Sequence, residues 1–252
     1  MRIDLNADVG ESLGAWSMGE DERLIPVVSS VNVAAGLHAG DPVVIARTIA
    51  TAARHGVAVG AHPGYPDLAG FGRRAMALSP DEIEASVLYQ VGAVAAFADA
   101  AGVELRHVKP HGALYNRAVR DDAAAAAIAR AVASFRRSLI LVGLAGSALV
   151  AAGREVGLAV AEEAFADRAY EPDGALRARE LPGAVLDDPA AAAAQAVAIA
   201  GGAVTAIDGS VLPTRADTIC VHGDLPGAVD RGLAVRRALA AIGVEIRAPG
   251  VA

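Results

Sequence analysis

The feature that most constrains this chain is an alternation. Seven short β-branched or apolar runs are separated by longer Ala-rich stretches whose polar residues fall at helical spacing. The runs are RIDLNAD (2–8), SVNVAA (30–35), VAVGAH (57–62), LRHVKP (105–110), LILVG (139–143), LAVAEEA (158–164) and DTICVHG (217–223). Strand and helical periodicity in strict turn is the sequence signature of βα units around a parallel sheet. The helices expected between them include Pro42–His55, Pro80–Ala101 and Asp121–Arg137. Ser79 reads as the N-cap of the second, with Glu82 completing a capping box. The Ala123–Ala127 pentad reads as a strong helix former behind an Asp121 or Asp122 cap.

A chain of 252 residues with no Ser/Gly/Pro linker and no charge block is expected to be one domain, 1–252, since α/β barrels routinely reach this length as single units. A net charge of −7 disfavours nucleic acid and anionic membranes as main partners, because the overall field repels both. The apolar run Ser138–Ala152 is shorter than the roughly 20 residues a spanning helix needs, and reads as a buried strand followed by a helix. The start, MRIDLNADVGES, lacks the basic-then-apolar pattern of a secretory signal. Cys220 is the single cysteine, which fits a reducing cytoplasm. Two turn-rich stretches, 62–74 and 162–183, exceed ordinary connection length and carry aromatics beside arginines, so they are expected to be lids or partner surfaces.

Polar residues gather where the predicted strands end. Strand one runs into Asn6, Asp8 and Glu11, and strand two into His38 and Asp41. Strand three runs into His62 and Asp67, and strand four into Lys109, His111 and Asn116. The last two run into Glu162, Glu163, Asp167 and Arg168, and into His222 and Asp224. Parallel strands open all their C-terminal ends on one face, so these side chains are expected to converge. Asp41, directly before Pro42, reads equally as a helix N-cap, and Asp224 ahead of Pro226 is similar. Four histidines just past strands, each beside Gly or Pro, are harder to assign to loop polarity alone. Lys109 is the sole lysine among 22 basic residues, and a site that keeps it calls for a compact charge of tunable pKa that arginine does not supply.

Asp8, His38 and His62 are candidate ligands for a divalent metal, although no H-x-x-x-H or H-E-x-x-H spacing supports one. No phosphate loop and no G-x-S-x-G elbow is present, and Cys220 reads as a buried small residue. What remains is acid–base and electrostatic catalysis by Asp, His and Lys, with Arg73, Arg74 and Arg168 to hold anions.

DLNADVGE (4–11), VNVAAGLHAGD (31–41), GAHPGYPDLAGFGRR (60–74), VKPHGALYN (108–116), EEAFADRAY (162–170) and CVHGD (220–224) resemble, in order, the lactam-utilisation protein family of bacterial ATP-dependent 5-oxoprolinases. One departure stands out: Ala35-Gly36-Leu37 replaces the family's common Cys-Gly-aromatic, so a thiol there is not required. The resemblance implies a distorted seven-stranded TIM-like (β/α)7 barrel of the glycoside hydrolase/deacetylase type. It implies opening of 5-oxoproline (pyroglutamate) to L-glutamate with ATP as co-substrate, and partner subunits B and C. For that chemistry, Asp8 with His38 or His62 is expected to activate the water, and Lys109 and His111 to stabilise charge on the lactam or phosphoryl oxygen. Asn6, Glu11, Asp41, Asp67, Arg73, Asn116, Arg168, His222 and Asp224 become candidates for binding substrate. Two rival readings are a metal-dependent deacetylase or amidohydrolase acting without ATP, and a non-catalytic binding or regulatory component.

Overall fold

A computed structural model describes residues 1–250. Seven parallel strands form a closed barrel: β1 (Arg2–Val9), β2 (Ser30–Ala34), β3 (Ala58–His62), β4 (Leu105–Val108), β5 (Ile140–Leu144), β6 (Ala159–Phe165) and, last in the ring, Thr218–His222. That last strand pairs with both β6 and β1, which abolishes the sheet edge. Between β6 and the closing strand lies an antiparallel hairpin, β7 (Ala203–Thr205) with β8 (Val211–Pro213), which makes the closing strand β9. A short β10 (Glu245–Ile246) pairs beside the start of β1.

Among the described residues, eight α-helices accompany the strands: α1 (Asp21–Leu24), α2 (Pro42–His55), α3 (Pro80–Ala100), α4 (Gly112–Ala118), α5 (Asp122–Phe135), α6 (Ala148–Glu155), α7 (Pro189–Ala200) and α8 (Ala228–Ala241). The α3 capping box forms as the sequence predicts, with Ser79 Oγ accepting from Glu82 N–H and the Glu82 carboxylate accepting from Ser79 N–H. Asp121 caps α5 by accepting from Ala124 N–H. The predicted 162–183 loop begins late: Glu162 to Phe165 belong to β6, and the excursion occupies 166–188.

The barrel interior is polar, and strand alternation sets this up. On β1, Ile3, Leu5, Ala7 and Val9 lie in the apolar layer, while Asp4, Asn6 and Asp8 bond to side chains from other strands. Successive strand residues point to opposite faces, so D-L-N-A-D builds an outer apolar face and an inner hydrogen-bonding ladder. Gly60 on β3 leaves the space that the His107 ring fills, since a Cβ there would stand 2.1 Å from His107 Nε2.

Candidate functional site

Lys109 Nζ sits at the centre of the ladder's upper rung. It lies 2.9 Å from Glu163 Oε1, 3.0 Å from Asp8 Oδ1, 3.0 Å from Cys220 Sγ and 3.3 Å from Asn6 Oδ1. Burial opposes its charge, but the Asp8 and Glu163 carboxylates outweigh burial and hold the pKa well above the usual lysine value. It is therefore a fixed ammonium rather than a base of tunable pKa, and its compactness is what arginine would lack. Asp8 remains ionised for the converse reason, with His62 and then Lys109 overcoming its burial. Around this rung, Asn32 Nδ2 donates to Asn6 and Asp8, Asn6 Nδ2 donates to Glu163 and Thr218, and Tyr115 Oη donates to Glu163 at 2.8 Å. Asp4, one rung below, accepts from Ser29, Ser30 and Thr218 hydroxyls. Burial nonetheless pushes its pKa up to about 6.

Three histidines stand together at the strand ends. His38 stacks on His111 with ring centroids 3.9 Å apart, and His62 meets both edge-on. His62 Nε2 is 2.9 Å from His111 Nδ1 and 3.4 Å from Asp8 Oδ2. Burial, reinforced by the neighbouring imidazoles, holds the pKa values of His38 and His111 well below the ordinary range. Glu11 closes the group, its Oε1 3.6 Å from His111 Nδ1. Burial and then the Asp224 and Asp8 charges raise its pKa well above the usual value.

The loop 63–74 roofs this cluster. Phe71 adopts φ 55° and packs its ring against His38 and His111, while its carbonyl accepts from His111 Nε2. A left-handed non-glycine residue is uncommon and marks a position the surroundings dictate. Gly72, at φ 64°, follows; a Cβ there would lie 2.8 Å from His38 Cβ and 2.9 Å from His111 Cδ2.

Beside the histidines opens a cavity of about 220 Å³, lined by Asp8, His62, Lys109, His111, Asn116 and His222 on one side and by Arg73, Arg168, Arg177 and Arg179 on the other. Arg73 donates to Asp224 at 2.7 Å, and Arg179 lies 3.9 Å from the same carboxylate. Two guanidiniums thus share one anion. Burial, with Arg179 nearby, lowers the Arg168 pKa to about 10. His222 Nδ1 donates to Asp167 at 2.9 Å, which leaves its other nitrogen toward the cavity. Despite burial, His222 holds the Asp167 pKa down to about 2.

A family model for LamB/YcsF proteins matches residues 3–251. The chain belongs to the LamB/YcsF family. It is similar, 60% identical over 250 residues and 99% of each chain, to a protein of Chloroflexus aggregans that bears the name of the 5-oxoprolinase A component. It is also similar to a solved lactam utilization protein from Thermus thermophilus, at TM-score 0.93 and 51% identity, covering 98% of this chain and 100% of the other. A family 4 carbohydrate esterase from Streptomyces lividans shares the barrel alone, at TM-score 0.51 and 10% identity, covering 97% of this chain and 91% of the other. The fold is thus the distorted TIM-like (β/α)7 barrel that the resemblance implies.

In this LamB/YcsF chain the predicted set converges with exceptions. Asp41 is spent as a helix cap: it accepts from Val43 and Val44 N–H and from Gly14 N–H, leaving nothing for a ligand. Asp67 pairs with Arg74 and accepts from Gly70 N–H, so neither Asp67 nor Arg74 lines the cavity. Asn6 lies below the cavity inside the barrel, where it braces Lys109 and Glu163. Arg168 lines the cavity, but its guanidinium also donates to the Ala184 and Arg177 carbonyls and so ties down the 166–188 excursion. The metal candidates Asp8, His38 and His62 do not fall in one donor group, and Asp8 is bonded to Lys109. The donor atoms that cluster within 4.8 Å of one another belong to Glu11, His38, His62 and His111, and a second group comprises Asp8, Cys220 and His222. Glu163 and Asp167, expected to converge but given no role, stand in the ladder and behind His222, and the residues missed altogether are Asn32 and Tyr115 in the ladder and Arg177 and Arg179 in the long loop. Period-two alternation from Asp8 and Lys109 marked the inward positions, but which strands face each other is invisible without barrel closure.

Proposed function

We propose that this chain is the A component of a 5-oxoprolinase, acting with subunits B and C to open 5-oxoproline to L-glutamate, coupled to hydrolysis of ATP to ADP and phosphate. The observation that carries the reading is the end-to-end match, at 60% identity, to a protein bearing that component's name. The site's chemistry agrees with it. An unstrained lactam is a poor electrophile, and phosphorylating its oxygen makes that oxygen a leaving group. One water adds at the carbonyl carbon and the carbon–nitrogen bond opens, the ring nitrogen taking a proton to become the amine of a γ-glutamyl phosphate; a second water then displaces phosphate and leaves L-glutamate.

In this reading His38 or His62 accepts the water's proton, and Asp8 Oδ2, 3.4 Å from His62 Nε2, stabilises the imidazolium that forms there. His62 Nδ1 donates to the Lys109 carbonyl, which fixes Nε2 as the basic nitrogen. His111 and the Lys109 ammonium face charge developing on the lactam or phosphoryl oxygen. Arg73, Arg168 and Arg179 hold the carboxylate or a phosphate, and Asn116 and His222 complete the wall. A cavity of about 220 Å³ is below the roughly 300–1,000 Å³ of drug-sized sites, which favours the small lactam here and the nucleotide on a partner. The chain, 1–252, acts as one domain, and its single cysteine suits work in a reducing cytoplasm. Among the described residues, no helix is long and apolar enough to cross a membrane.

A second reading, a metal-dependent amidohydrolase acting without ATP, is favoured by the Glu11, His38, His62 and His111 donors. One experiment separates the two. This chain and purified B and C are mixed with 5-oxoproline and ATP, each is omitted in turn, and glutamate is measured. Glutamate release that needs every component upholds the first reading, whereas ATP-independent hydrolysis by the isolated chain upholds the second.

A further inference from the structure

The hydrogen bonds on the outer sides of His62 and His111 decide where their protons sit. His62 Nδ1 lies 2.7 Å from the Lys109 carbonyl oxygen, and His111 Nε2 lies 2.9 Å from the Phe71 carbonyl oxygen. A carbonyl only accepts, so each of these nitrogens carries the hydrogen of its ring. In their neutral forms the imidazoles direct lone pairs from His62 Nε2 and His111 Nδ1, and those two atoms face each other at 2.9 Å. Two lone pairs at that separation repel unless a positive species lies at their meeting point.

A proton shared by the pair would satisfy these two nitrogens and the Asp8 carboxylate oxygen 3.4 Å from His62 Nε2, but neither His38 nor Glu11. The surroundings ask for more. His38 is 1% exposed and neither of its ring nitrogens has a hydrogen-bond partner. Glu11, also buried, brings its carboxylate to 3.6 Å from His111 Nδ1. One donor atom from each of Glu11, His38, His62 and His111 lies within 4.8 Å of the other three. Imidazole and carboxylate donors at about 2.0–2.2 Å from a zinc-like ion stand roughly 3–4 Å from each other, so small side-chain adjustments collapse this group onto one ion.

The neighbouring group shows the contrast. Asp8 Oδ1 and Cys220 Sγ each lie 3.0 Å from Lys109 Nζ, so a covalently tethered cation already serves Asp8 and Cys220. His222, the third donor of that group, is oriented by Asp167. The Glu11 group has the same kind of donors and, among the described residues, no lysine or arginine bonded among them.

We infer that Glu11, His62 and His111 hold a divalent transition-metal ion of the zinc, cobalt or manganese class, with His38 as the fourth donor. The near-parallel stack of His38 on His111, 8° between planes, means that both rings cannot direct in-plane lone pairs to one point. His38 therefore turns about its side-chain bonds to join the ion, a motion its unbonded nitrogens permit. His62 and His111 are the anchoring ligands, already oriented by backbone carbonyls, and such outer hydrogen bonds are what positions metal-binding histidines generally. The inference concerns binding by this chain alone and does not rest on the reaction proposed above; with the ion bound, His38 and His62 are ligands and do not serve as the base proposed there.

The test uses the full chain without an affinity tag, stripped by chelator, dialysed at about pH 7.5, and titrated separately with Zn²⁺, Co²⁺ and Mn²⁺ by calorimetry. Metal content is measured after gel filtration, and the Co²⁺ form is examined for visible absorption. The expected result is one ion per chain, with affinity lowered about 100-fold by His111→Ala and about 10–100-fold by Glu11→Gln and His38→Ala. Circular dichroism checks that each variant is folded. His38→Ala breaks no hydrogen bond of the structure, so it keeps the test decisive if His111→Ala does not fold. His55→Ala, outside the cluster, should bind as the unmodified chain does. Failure of the folded chain to bind any of the three ions would overturn the inference, as would unchanged affinity in the His38→Ala and Glu11→Gln variants. Loss of binding on His222→Ala alone would move the ion to the other group and overturn the ligand set.

Discussion

Replacing Lys109 by Met removes one ammonium from the centre of the barrel and keeps most of the side chain's volume, so the measured change reports charge rather than packing. Two carboxylates lose their shared partner: Glu163 Oε1 at 2.9 Å and Asp8 Oδ1 at 3.0 Å, with side chains 0% and 5% exposed. Removing one member of a buried ion pair costs about 3–5 kcal/mol, because the remaining charge is left desolvated. At roughly 2–4 °C per kcal/mol for a chain of this size, the melting temperature should fall by about 10 °C. The deficit should depend on pH in a definite direction. In the variant, the orphaned carboxylates bind protons more tightly folded than unfolded, so the loss is largest at about pH 7–8 and shrinks towards pH 5. Adding Glu163→Gln should recover part of it, since one uncompensated charge disappears. The assay is urea denaturation of the four combinations of the two changes at about pH 5 and pH 7.5. A Lys109→Met chain within about 1 kcal/mol of the unmodified one at both pH values would refute the argument that the ammonium is the barrel's internal counter-charge.

Three further outcomes follow from the same geometry. Gly72→Ala places a Cβ in the left-handed region against His38 and His111; stability should drop by about 1–2 kcal/mol from the backbone alone. Activity of the reconstituted complex should fall roughly 100-fold as the histidines are displaced, and unchanged turnover would show that their placement is not critical. Asp4, whose folded pKa of about 6 exceeds the ordinary 3.8, contributes through its neutral form below about pH 4, a stability lost as pH rises through 6. The unfolding free energy of Asp4→Asn relative to the unmodified chain should therefore improve by about 2.4 kcal/mol between pH 4 and pH 7, and a flat difference argues against a buried acid there. Arg179→Ala, at the cavity wall, should raise KM for 5-oxoproline about tenfold with little effect on melting temperature; a change in kcat alone would exclude a role in holding the substrate.

The alternation of apolar runs with Ala-rich stretches was enough to give seven strands and the faces they bury, because period and length are local properties that pairing does not alter. Helix ends at Asp41, Ser79 and Asp121 were equally legible, since a cap is a contact between residues two or three apart. The β7–β8 hairpin was not anticipated; its three-residue strands carry too little alternation to register.

The candidate site divides along the same line. That histidines and carboxylates follow strands is written in the chain, and the parallel sheet carries them to one face. Which of them touch is another matter. Asp8 stands level with Asn32 on one side and His222 on the other only because β9 closes the ring against β1, joining residues more than 200 positions apart. Asp41 and His38 look alike as polar residues after β2, yet one turns back to cap its helix and the other is buried among imidazoles. The sequence by itself determined the elements, their polarity pattern and the face on which chemistry collects. Tertiary closure alone decided that Lys109 is a fixed charge rather than a titrating one, because that depends on two carboxylates brought within 3.0 Å by strands β1 and β6.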